Sequence, residues 1–137
     1  MQFVKYWSCL ESLLGGNGKD LTETLAVGVV TVLTYGHHRY LEEKDWHNNC
    51  QQVKRLYKIR SKAVHRASHL HVSTSDLHVL GSWTAWVIYN ALSFSQTGMK
   101  DSQDLWSRIQ KFVRLHYPNS LIAKSDEGYK SDANREY

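Results

Sequence analysis

The chain has 137 residues, 42% of them hydrophobic, with 5 Trp, 8 Tyr and 3 Phe, which suits one ordinary globular core rather than an array of domains. A formal net charge of +4 permits an anionic partner such as nucleic acid without demanding one. Cys9 and Cys50 are single, widely spaced thiols, which excludes a disulfide framework and zinc-ribbon spacing, and no signal-peptide run or apolar stretch of ~18 residues is present. The expectation is a cytoplasmic protein with no membrane contact.

Phe3, Tyr6, Trp7, Leu10, Leu13 and Leu14 recur at helical spacing up to Gly15-Gly16-Asn17-Gly18, which predicts a first helix stopped by glycine. Asp20 with Glu23 three residues on resembles a capping box, and Leu21, Leu25, Val29, Val32 and Leu33 run from it to Gly36. Val27, Val29, Val30, Thr31 and Val32 also suit a strand, but ~15 residues behind an N-cap signal predict a helix. Trp46, Cys50, Val53, Tyr57, Arg60 and Val64 then form one face of a long helix, widened by Leu56 and Ala63. Ser73, Thr74, Ser75 and Asp76 offer N-caps for a helix through Leu77, Leu80, Trp83, Val87, Ala91 and Phe94, weakened a little by Gly81. Beyond a polar break near Gly98, Leu105, Trp106, Ile109, Phe112 and Val113 predict a shorter helix ended by the sole proline, Pro118. Residues 118–137 are polar and aperiodic and read as a flexible tail, leaving residues 1–117 as the domain. With no repeat and little strand signal, the fold expected is all-α, an antiparallel bundle of four to five helices.

Arg60 is the anomaly in this pattern. Arginine is almost never fully buried without a partner, yet Arg60 stands on an apolar stripe, and His65 follows five residues later. From Lys54 to Arg66 there are six Lys or Arg (Lys54, Arg55, Lys58, Arg60, Lys62, Arg66) and no acidic residue. Other candidate motifs carry less. "GGNGKD" lacks the spacing, the Ser or Thr and the preceding strand of a phosphate loop, so it reads as a helix-ending turn. His69, His71 and His78 sit in and beside a loop with no H-E-x-x-H or C-x-x-C, and no metal or cofactor is expected. Cys9 and Cys50 fall on apolar stripes and read as core residues.

The run Leu56-Tyr57-Lys58-Ile59-Arg60-Ser61-Lys62-Ala63-Val64-His65 resembles the HEPN superfamily (higher eukaryotes and prokaryotes nucleotide-binding domains), and within it the Apea-like group, whose hallmark has the form "lYkiRSkivHG". Trp7, Leu10, Glu11 and Leu13 also resemble that group's opening "W-x-A-L-E-x-L", so the likeness covers roughly residues 3 to 95. The departure is Arg66, which stands where the group usually has glycine.

The resemblance implies an endoribonuclease of the R-x4-H type that works without metal, as a homodimer whose motifs face one another across a cleft. Arg60 and His65 are the implied catalytic pair. Arg60 would neutralise the phosphorane and His65 would transfer protons. Glu11 is the candidate to orient or neutralise Arg60, Tyr57 is expected to pack beneath it, and Ser61 counts as a supporting residue. Arg55, Lys58, Lys62 and Arg66 would steer the RNA backbone. On a regular helix five residues advance ~7.5 Å and turn about 140°, so helix distortion or a second chain is needed to bring positions 60 and 65 together. The implied biology is phage defence by abortive infection, or a toxin–antitoxin system, with an antitoxin or an N-terminal sensor domain as further partners. The rival expectation is a non-catalytic HEPN-like module for dimerisation or ligand binding, with Arg60 and Glu11 as a helix-pinning ion pair.

Overall fold

Five α-helices follow one another as α1 (Gln2–Leu14), α2 (Leu21–Tyr35), α3 (Trp46–Arg66), α4 (Thr74–Gln96) and α5 (Ser102–His116), with a short 3-10 turn at Glu43–Asp45 leading into α3. They come from a computed structural model that describes residues 2–15, 20–66 and 72–118, and of Ala63, His65 and Arg66 the backbone alone. The described residues contain no strand, so the chain is an all-α bundle. The expected flexible tail beyond Pro118, the turn residues Gly16 to Lys19, and His69 and His71 lie outside the described residues.

The segment whose β-branched residues suited a strand is the central helix. Every residue of α2 from Thr24 to Thr34 is buried, because α1, α3, α4 and α5 all pack on it. A helix that is apolar on all sides belongs in the middle of a domain, where surrounding side chains outweigh the modest helix propensity of valine and threonine. Asp20 starts it, its side chain accepting a hydrogen bond from the Glu23 amide at 3.1 Å.

The outer helices show the narrower stripes that periodicity predicts. α1 buries Phe3, Trp7, Leu10 and Leu14. α5 buries Leu105, Ile109 and Val113, and ends at His116, just ahead of Pro118. Each large side chain so buried contributes roughly 1.5–3 kcal/mol relative to leaving it in water. Gly81, which lowers the helix propensity of α4, has a structural use: a Cβ there would stand 3.1 Å from the Tyr6 ring, so its absence lets α1 and α4 approach. Gly98 follows α4 with φ +101, a left-handed conformation that glycine adopts without strain.

Two polar devices fix the connections. Asn90, fully buried on α4, accepts from the His38 amide at 2.9 Å and donates to the His38 carbonyl at 3.0 Å, which satisfies the loop after α2. At the same C-terminal end of α2 the Tyr35 ring stacks on Phe112 and His116 of α5, while its hydroxyl donates to Glu43 at 2.8 Å and lies 3.0 Å from the Tyr117 hydroxyl. Tyr117 in turn stacks on Trp46 at 3.8 Å, clamping α5 to the start of α3. Burial, with these two bonds, holds the Tyr35 phenol above its ordinary pKa, so it stays protonated and remains a donor.

Candidate functional site

α3 is continuous from Trp46 to Arg66, with no break or change of helix type across the R-x4-H motif. Its first turns bury Trp46, Cys50, Val53 and Leu56. The stripe then rises out of the core: Tyr57, Ile59 and Arg60 are half-buried, and Val64, the last apolar residue of the stripe, is 49% exposed. Arg60 therefore sits where the interior meets the surface.

Glu11 on α1 faces it. Arg60 Nη2 lies 3.3 Å from Glu11 Oε1, with about a quarter of each side chain exposed. The guanidinium also stands over the Tyr57 ring, 5.4 Å from its centroid, and that ring meets Trp7 edge-on at 5.0 Å. Burial pushes the Tyr57 phenol up, with Arg60 opposing and Glu11 adding to the rise. The pairing is incomplete as a hydrogen bond, because among the described residues the buried Glu11 Oε1, Arg60 Nε and Trp7 Nε1 meet no hydrogen-bond partner. This combination, a cation held on an aromatic platform by an imperfect ion pair, leaves Arg60 with unused donor capacity.

The other cations of α3 divide into two groups. Lys54 pairs with Glu23 of α2. Arg55 binds Asp76 of α4 through both terminal nitrogens, at 3.3 and 2.7 Å, and this contact holds the Asp76 carboxyl below its ordinary value. With Arg60, three of the six basic residues from Lys54 to Arg66 are thus met by carboxylates on three different helices. Lys58 and Lys62 are exposed. Ser61 turns its hydroxyl back to the Tyr57 carbonyl at 3.3 Å, a helix-internal bond.

The structure brings Arg60, Glu11 and Tyr57 together and separates position 65 from them. On this unbroken helix, position 65 shares a face with 58 and 62, at i, i+4 and i+7, whereas position 60 stands about 140° away on the side that packs against α1. The His65 and Arg66 side chains lie outside what is described. The carboxylates of Glu23 and Asp76 were not legible as partners of α3, since both read locally as helix-capping residues.

Cys50 is 6% exposed and burial pushes its thiol up to about 12, so it is a core residue with little thiolate at neutral pH. Among the described residues no three His, Cys, Asp or Glu side chains are grouped as metal ligands, and no helix is long and apolar enough to cross a membrane. Comparison of the chain with family models, with curated proteins and with solved structures finds no match.

Proposed function

We propose that the chain is a metal-independent endoribonuclease of the HEPN R-x4-H type, cytoplasmic, acting as an effector in phage defence or as the toxin of a toxin–antitoxin pair. The observation that carries this reading is the state of Arg60: partly exposed, stacked on Tyr57, and countered by one carboxylate, with no hydrogen-bond partner for its Nε among the described residues. A guanidinium so held can exchange Glu11 for the non-bridging oxygens of a phosphodiester.

The chemistry assigned to the site uses the RNA 2′-hydroxyl as nucleophile. The His65 imidazole of a second chain takes its proton as the oxygen attacks the adjacent phosphorus. Arg60 offsets the charge on the phosphorane, and the His65 imidazolium so formed delivers the proton to the departing 5′-oxygen. The products are a 2′,3′-cyclic phosphate and a 5′-hydroxyl, with no net proton gained or lost. Because α3 is regular, positions 60 and 65 of one chain diverge, so the reading requires two chains. Lys58 and Lys62 are the exposed cations available to the RNA backbone, with Arg66 beside them in sequence, while Arg55 must first leave Asp76.

A second reading is favoured by the same ion pair: Arg60 and Glu11 join α3 to α1, as a non-catalytic dimerisation or ligand-binding module would use them. Cleavage of a mixed RNA pool in EDTA separates the two. The nuclease predicts cutting that survives the chelator, leaves 2′,3′-cyclic ends and disappears in both Arg60→Ala and His65→Ala. A folded chain that cuts nothing, or variants as active as the parent, would leave only the module.

A further inference from the structure

Two helices of this bundle are apolar around most of their circumference, and only one of them is enclosed. α2 is covered by the other four helices, whereas α4 packs chiefly on α1 and α2. The inner face of α4 buries Leu80, Trp83, Val87, Ala91 and Phe94. Its outer face carries Ala85, Ile88, Tyr89 and Leu92, at the i, i+3, i+4, i+7 spacing of a second apolar stripe, and all four are exposed. Tyr89 is 50% and Leu92 58% exposed.

Rings extend this stripe along one flank. Trp86 meets Tyr89 edge-on at 5.8 Å, and Tyr40, from the loop after α2, stacks on Trp86 at 5.4 Å. From Leu77 to Gln96 the helix contains no Lys, Arg, Asp or Glu, in a chain that is 22% charged. Depletion of charge with enrichment of Trp and Tyr marks the centre of protein interfaces, where such rings supply most of the binding energy.

We infer that this outer face of α4 is where a second copy of the chain docks, α4 against α4 across a two-fold axis. Charge argues for self-association. A face built for an acidic or basic partner carries the opposite charge at its rim, and the α4 helix supplies none beyond Asp76, which Arg55 already holds. An uncharged apolar face is complementary to itself. Area agrees. Given the ~150–250 Å² that an aromatic side chain buries, the exposed parts of Tyr40, Trp86 and Tyr89 amount to roughly 200–300 Å². Ile88 and Leu92 bring the patch into the ~300–600 Å² range associated with functional surfaces. Two such patches make the apolar centre of an interface of the standard ~1,200–2,000 Å².

This inference takes from the proposed function only its need for two chains, and its test reads assembly instead of cleavage. Sedimentation equilibrium of the full chain is expected to show a dimer at micromolar concentration. Leu92→Glu and Tyr89→Glu should each raise the dissociation constant by about tenfold or more, with helix content by circular dichroism unchanged because each side chain is at least half exposed. Leu115→Glu, on exposed α5 surface, should leave it unaltered. A monomer at all concentrations, or a dimer that neither α4 substitution weakens, would overturn the inference. An inactive dimer broken by Leu92→Glu would support it while counting against the nuclease.

Discussion

Arg60 is a cation at the margin of a core, and everything it touches follows from that position. Four residues further along the same stripe Val64 is 49% exposed, so the Arg60 side chain can keep about a quarter of its surface solvated while its guanidinium stands over the Tyr57 ring. Glu11 lowers the cost of holding the charge there, yet its carboxylate also competes with any incoming phosphate. Glu11→Gln keeps the shape and removes that competition. Loss of a partly exposed pair should cost stability no more than about 1 kcal/mol. If the released attraction passes to RNA, affinity should rise by about fivefold, measured as fluorescence anisotropy of a labelled oligonucleotide. Unchanged binding with only a loss of stability would mark Arg60 as a helix-pinning residue.

At the scale of elements, α3 is a basic helix whose charge is answered by carboxylates from its neighbours, and the Arg55–Asp76 pair ties it to the first turn of α4. Asp76 also donates its amide to the Ser73 cap at 3.0 Å, so one residue serves both the helix start and the inter-helix contact. Its folded pKa is depressed, chiefly by Arg55; the pair therefore stabilises the fold above the ordinary aspartate value near 4, and this is lost as pH falls through the folded pKa. Because Arg55 is 48% exposed, solvent screening limits the contribution to less than about 1 kcal/mol. Asp76→Asn should lower the unfolding free energy from urea titration at pH 7 by that margin, with the difference from the parent closing below about pH 4; a gap independent of pH would assign the effect to capping alone. The helices themselves were legible in the sequence, since the apolar period and the caps at Asp20 and Ser73 are local signals. Arg60 and its neighbour Tyr57 were legible for the same reason. The partners of Lys54 and Arg55 were not, because ion pairs between helices leave no local pattern, and Glu23 and Asp76 already explained themselves as caps. Asn90 was missed because one asparagine in an apolar run gives no hint of the loop it satisfies.

For the whole molecule, two features point beyond a single chain. The outer face of α4 has the character of a covered helix without a cover among the described residues, and the regularity of α3 turns positions 60 and 65 to different sides. The first feature offers a way for two chains to meet, and the second makes a second chain necessary if Arg60 and His65 are to share one phosphate. Neither was fully legible beforehand: the periodic residues of α4 were read for their inner face, and the outer one shows only when the neighbouring helices are in place. The most direct test of the account is complementation between Arg60→Ala and His65→Ala chains, mixed in equal amounts after each is shown to be folded and inactive toward RNA. With one Arg60 and the other chain's His65 sufficient for a site, half of the dimers would regain one of their two sites, and cleavage should return to about a quarter of the parent's. Parent chains that cleave while the mixture stays as inactive as its components would contradict a site shared in this way.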